Sequence, residues 1–158
     1  MKLPTKQSCR VDVFDPKGEI SPFLIDDTEA RVFEHSSASD AAYAALKAMQ
    51  KQGELGILVL EEMMTVSPSE YQDITTVCAI RRRSTSGEGL AVYATTQRPK
   101  IMPVALRSTA DLWVVGKITD TDDLKAIESV AGPDFAKDLP TLEIGEFLGY
   151  DFGKELTL

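Results

Sequence analysis

Three short apolar stretches each end in side chains that can do chemistry. "VDVF" (11–14) runs into Asp15 and Lys17, "GILVL" (56–60) into Glu61 and Glu62, and "LAVYA" (90–94) into Thr95, Thr96 and Gln97. Adjacent carboxylates behind an apolar strand suit a metal–nucleotide site. One can hold Mg2+, directly or through water, while the next polarises an attacking water. A glutamine or threonine beside them can orient a terminal phosphate. Taken alone, each group has a plainer reading: Glu61 and Glu62 as a solvated strand end, Gln97 as a loop hydrogen bond. What favours a site is their recurrence at successive strand ends, because an open parallel sheet binds its ligands outside the carboxyl ends of its strands.

These groups need a scaffold, and the chain reads as strands alternating with helices. "VDVF" and the weaker "ARVF" (30–33) are the first strands. A helix begins near Ser37, with Asp40 at capping-box spacing; Ala42, Ala45, Leu46 and Met49 line its apolar face, and Gly53 is its expected stop. "GILVL" is continuous rather than alternating, as in a strand buried on both faces. "SPSE" (67–70) predicts a helix start, with Ser67 as cap, Pro68 in the first turn and Glu70 reaching back; Tyr71, Ile74, Val77 and Cys78 form its stripe. A basic, then glycine-rich loop (81–89) leads into "LAVYA", read as a second buried strand. Beyond Pro103 come a helical turn, a third buried strand "DLWVV" (111–115) with Trp113, Val114 and Val115 in the core, and an acid-led helix (119–132). Leu124, Ile127 and Val130 face inward on that helix, and Gly132-Pro133 stops it. "GEFLGYD" (145–151) reads as a last strand at an edge. The only histidine, His35, reads as a loop residue without a partner. Such alternation predicts an α/β fold with a mostly parallel sheet and helices on both faces.

The bulk numbers agree with one soluble globular domain. At 158 residues, with 43% hydrophobic and 27% charged residues, the chain can bury a sizeable core without staples. A net charge of −8 speaks against a generally basic, nucleic-acid-coating protein and against an anionic membrane surface. No apolar run reaches a membrane span, no signal peptide is visible, and Cys9 and Cys78 form no framework, so a reduced, cytoplasmic setting is expected.

"VDVFDPKGE", "GILVLEE", "GLAVYATTQRP", "STADLWVVGKITDTDDLKAI" and "LEIGEFLGYD" resemble, in order, the core of the FtsK/HerA superfamily of P-loop ATPases, DNA-pumping motors among which the HerA-like branch fits best. "ATTQRP" is the most specific block. The resemblance implies a three-layer RecA-like domain over residues 11–152, with 1–10 as an N-terminal extension and 153–158 as a tail. It implies ATP and Mg2+ as cofactors. Glu61 stands at the metal-associated position, Glu62 at that of the glutamate activating water, and Gln97 at that of the polar sensor; Asp15 and Thr96 fall at nucleotide-binding positions. Arg81, Arg82 and Arg83 fall near the family's arginine finger, and are also the DNA candidates with Arg98 and Lys100. A helix end favoured by the dipole is an equally good account of the three arginines.

The sequence also departs from that family. No GxxxxGK followed by Ser or Thr occurs, and "MKLPTKQSCR" before Val11 has no glycine. A P-loop aims backbone N–H groups, a lysine and a helix N-terminus at phosphates. Without it the chain is expected to be a motor-type domain of a DNA-translocation or packaging system that cannot hydrolyse ATP alone; the alternative is a non-enzymatic scaffold, or a relic working with a P-loop-bearing partner. The P-loop strand would lie between "LAVYA" and "DLWVV". Either those two pair directly or a partner supplies a strand, and an unmet edge favours self-association. No DNA contact by the isolated chain is expected.

Overall fold

A computed structural model describes residues 9–19, 31–50, 55–81, 89–151 and 154–156. The chain forms two compact units, Met1–Gln97 and Arg98–Leu158.

In the first unit, β1 (Cys9–Phe14), β2 (Arg31–Glu34), β3 (Leu55–Leu60) and β4 (Leu90–Ala94) make a sheet in the order β2-β1-β3-β4, every pair parallel. The two central strands carry the core: Val11, Val13 and Phe14 of β1 and Leu58 and Leu60 of β3 are buried. Helix α1 (Ala38–Met49) starts where Ser37 Oγ accepts the Asp40 N–H at 3.1 Å, and it lays its buried alanines Ala41, Ala42, Ala45 and Ala48 against β1 and β3. The approach is close: a Cβ on Gly56 would meet Leu90 Cδ1 at 3.1 Å and the Ala45 carbonyl at 3.7 Å. Helix α2 (Pro68–Arg81) packs on α1 and opens with the expected capping box, Glu70 N–H to Ser67 Oγ and Ser67 N–H back to Glu70 Oε2. Tyr71, Ile74, Val77 and Cys78 are buried as the spacing predicts. The Gly53 stop lies outside the described residues.

The second unit holds an antiparallel sheet, β5 (Leu112–Val115), β6 (Leu148–Asp151) and β7 (Lys154–Leu156), in that order. With it are α3 (Val104–Arg107), α4 (Thr121–Ala131) and α5 (Pro133–Asp138). Asp120 caps α4 by accepting the Asp122 and Asp123 N–H groups. Gly132, at φ 87°, ends α4, and Pro133 at once begins α5. Val115, Ile127, Ala131, Ala136 and Leu139 form the core, with Leu124, Trp113, Phe135 and Tyr150 packed around it.

Several expectations about strands change. "LAVYA" is not enclosed: among the described residues β4 pairs only with β3, and Tyr93 is 62% exposed. "DLWVV" does not pair with it; β5 pairs with β6, leaving Leu112 and Val114 half exposed and only Val115 buried. A continuous apolar run implies burial on both faces only if neighbours flank the strand, and that is a property of sheet order. The last strand starts at Leu148, after a turn with Gly145 at φ 94°, and β6 is central because Lys154–Leu156 of the supposed tail pairs beside it. On α4, Val130 is half-buried while Asp123, Ala126 and Ala131 are buried.

Candidate functional site

The parallel sheet brings the carboxyl ends of β1, β3 and β4 to one rim, and the register fixes what meets there. Glu61 N–H donates to the Phe14 carbonyl at 2.9 Å, Thr95 N–H to Leu60 at 2.9 Å, and Met63 N–H to Thr95 at 2.9 Å. Asp15, Lys17, Glu61, Glu62, Thr95, Thr96 and Gln97 all follow these strand ends.

Glu62 is the centre of the rim. It is 8% exposed, and its backbone is left-handed, φ 51° and ψ 52°, a conformation costing a non-glycine residue about 1–2 kcal/mol. Four bonds compensate. Its N–H reaches Thr95 Oγ1 at 3.2 Å, and its carbonyl accepts the Thr65 N–H at 2.8 Å and Thr65 Oγ1 at 3.0 Å, closing a 3-10 turn over Met63–Thr65. Tyr71 OH then fastens the turn through the Met63 carbonyl. The kink turns the carboxylate toward β1 and β4: Oε1 accepts Lys17 Nζ at 2.5 Å and Gln97 Nε2 at 2.9 Å. Lys17 is itself placed by a turn in which Asp15 Oδ1 accepts the Lys17 and Gly18 N–H groups at 3.2 and 2.8 Å. The hydrogen bond to Glu62 raises the Lys17 pKa, so its ammonium charge is secure.

Glu61 faces a different environment. Burial, then a hydrogen bond with Asp15, and then the charges of Asp15, Glu19 and Glu62 push its pKa up to about 7. Its Oε2 is buried and has no hydrogen-bond partner. A carboxyl that shares a proton with a neighbour and leaves one oxygen orphaned fits a hard divalent cation, which would displace the proton and supply the partner. Mg2+ commonly takes only one or two carboxylates plus phosphate oxygens, so the small donor set is adequate; the described residues contain no group of three or more metal-ligating side chains.

The structure thus joins Glu62 with Gln97, and Glu61 with Asp15, while Thr96 lies half-buried between Thr95 and Gln97. Arg81 ends α2, and Arg82 and Arg83 lie outside the described residues. The other two basic candidates are held by acids within the second unit. Arg98 Nε binds Asp123 Oδ2 at 2.7 Å, with Asp120 at 3.7 Å, and Lys100 Nζ binds Asp122. The sequence leaves His35 without a partner; the structure supplies one, Nε2 lying 2.7 Å from Oδ1 of the fully buried Asp12. Arg10 grips the same carboxylate with two 2.8 Å bonds and covers the Phe33 ring at 4.1 Å. Alternation places Arg10 and Asp12 on one face of β1, and that was the available signal; His35 joins only through the β1–β2 pairing. Lys17 was visible as a strand-end residue, but its reach to Glu62, 45 positions away, was not.

No protein-family model matches the chain, and no curated protein matches it in sequence. Solved structures do match in fold. The genome-packaging NTPase B204 from Sulfolobus turreted icosahedral virus 2, in complex with AMP, is 19% identical at a TM-score of 0.70, over 96% of this chain and 82% of that one. The same protein in complex with ATP-gammaS gives 19% and 0.70, over 95% and 80%. B204, the DNA-packaging ATPase from Sulfolobus turreted icosahedral virus, gives 20% and 0.68, over 94% and 80%. The chain therefore has the α/β fold of these packaging NTPases, a parallel sheet flanked by helices.

Proposed function

We propose that this chain is an ATPase-type domain of the FtsK/HerA kind from a DNA-packaging or DNA-translocating system. The observation that carries the reading is the 2.9 Å bond between Glu62 and Gln97, side chains from the carboxyl ends of adjacent parallel strands, beside a Glu61–Asp15 pair with an orphaned oxygen. Glu62 accepts the proton of the water that attacks the terminal phosphorus, as the bond to the departing diphosphate oxygen breaks. Gln97, bonded to Glu62, reports whether that phosphate is in place, and Thr96 contacts the nucleotide. Glu61 and Asp15 would hold Mg2+, which would supply charge neutralisation for the phosphates. An arginine of 81–83 serves as a finger toward a neighbouring subunit, or contacts DNA.

These 158 residues contain no GxxxxGK followed by Ser or Thr. A phosphate-binding segment is needed to complete the site, and without one neither nucleotide binding nor turnover is expected. Titration with labelled ATP and Mg2+, with and without a polypeptide carrying that segment, tests this. Binding and hydrolysis are expected only with the segment, with Glu62→Gln lowering turnover about 10²–10⁴-fold at unchanged affinity. Turnover indifferent to Glu62→Gln would overturn the reading.

One observation favours the scaffold alternative: Lys17, 2.5 Å from Glu62, neutralises the residue cast as the base. That alternative prevails if ATP with Mg2+ fails to bind at millimolar concentration even when the segment is supplied.

A further inference from the structure

The left-handed turn at Glu62 needs support from its surroundings. A non-glycine residue at φ 51° is disfavoured about tenfold against its ordinary conformations. One hydrogen bond contributes a net preference of about the same size, so a single bond decides how firmly the kink is populated. Three of the supporting bonds come from the turn itself or from the neighbouring strand end: the Thr65 N–H and hydroxyl to the Glu62 carbonyl, and the Glu62 N–H to Thr95 Oγ1. The fourth comes from a helix. Tyr71 OH, in the opening turn of α2, donates to the Met63 carbonyl at 2.5 Å. The Tyr71 side chain is buried in the same stripe as Ile74 and Val77, so its hydroxyl has a fixed place. Burial also lifts the phenol above its ordinary pKa and keeps it a donor. The Met63 carbonyl accepts the Val66 N–H as well, at 3.2 Å. It would stay paired without the hydroxyl, so what Tyr71 adds is a hold on the residue next to Glu62 rather than relief of an orphaned acceptor.

We propose that Tyr71 is a positioning residue for Glu62: its hydroxyl, fixed by α2, latches the Met63 carbonyl, keeps the kink closed and so keeps the Glu62 carboxylate aimed at Gln97. Returning Glu62 to a right-handed or extended conformation redirects the chain on both sides of it. That swings the Met63 carbonyl away from Tyr71 and turns the carboxylate off the Gln97 amide, which it now meets at 2.9 Å. The part this latch plays in turnover rests on reading Glu62 as the base.

Tyr71→Phe keeps the ring and removes the bond. NMR on the full chain should show amide exchange at Thr65 and Val66 rising about tenfold. The Glu62 backbone carbon shifts should leave their left-handed values, and the Gln97 side-chain amide should move to its position in Glu62→Ala. Thr65→Val, which removes another bond to the same turn, should reproduce these changes if Tyr71→Phe fails to fold. Ile74→Val weakens the packing of α2 without touching the turn, and should leave the Glu62 and Gln97 signals in place; if it moves them equally, Tyr71 serves only general stability and the proposal fails. Adding Glu62→Gly to Tyr71→Phe removes the left-handed penalty and should return Thr65 and Val66 toward their native exchange, whereas adding Glu62→Ala should not. Equal rescue by both would show that the hydroxyl does not oppose backbone strain, and would also sink the proposal. None of these readouts needs nucleotide. Turnover indifferent to Glu62→Gln removes the base and leaves the latch; Glu62 and Gln97 signals unmoved by Tyr71→Phe remove the latch and leave the base.

Discussion

Glu61 and Glu62 are neighbours in sequence and opposites in environment. Glu62 is met by an ammonium and an amide; Glu61 is met by another carboxyl and by burial. The folded chain therefore binds a proton at Glu61 between the ordinary 4.5 and about 7. A raised carboxyl pKa means that stability falls as pH rises through that window, with the full cost present above it. Glu61→Gln removes a charge that the fold disfavours. It is expected to add about 1–2 kcal/mol near pH 8, once partial exposure is allowed for, and nothing near pH 4. Urea unfolding of both proteins at several pH values measures this; an equal gain at every pH would assign the effect to packing instead. The two acids were legible as adjacent carboxylates after a strand. Their division of labour was not, because it depends on Asp15 and Lys17 arriving from β1.

At the level of elements, Glu70 joins two helices. Its Oε2 accepts the Ser67 N–H and Oγ, closing the α2 box, and its Oε1 accepts the Ala38 N–H at the start of α1. Burial acts to raise its pKa, but the bonds from Ser67, Ala38 and Ser39 outweigh it and hold the carboxyl below its ordinary value. Stability from a lowered carboxyl pKa is present above the unfolded value and is lost as pH falls through the folded one. Glu70→Ala is expected to cost about 1–2 kcal/mol at neutral pH and to blunt the acid limb of the unfolding curve, as thermal melts between neutral and acid pH would record. In the sheet, Leu58 is fully buried on central β3, so Leu58→Ala should cost about 2–5 kcal/mol in chemical denaturation. Helix starts were legible because a cap is an exchange between residues three apart. Strand positions were misjudged in proportion to their dependence on distant partners: "LAVYA" and "DLWVV" have internal-strand composition, yet each pairs along one edge among the described residues.

For the whole molecule, the charge distribution sets expectations about DNA. The net charge is −8, and Arg98 and Lys100 are engaged with Asp120, Asp122 and Asp123. Fluorescence anisotropy with duplex DNA at physiological salt should give the isolated chain an affinity no tighter than about 10⁻⁴ M. A tighter complex that weakens steeply with salt would instead place phosphate contacts on the basic stretch at 81–83. No described helix is long and apolar enough to cross a membrane.

Amino-acid order alone determined the α/β class, the helix starts at Ser37 and Ser67, and the acids and amide that follow the apolar strands. These are short-range properties, fixed by hydrogen bonds within a turn and by the side-chain period of a strand. The tertiary structure alone decided that β6 is central, that β4 and β5 belong to different sheets, that His35 meets Asp12, and that Lys17 and Gln97 converge on one oxygen of Glu62. Each of those facts is a pairing across tens of residues, and sheet order and register are chosen by the free energy of the whole assembly rather than by any local stretch.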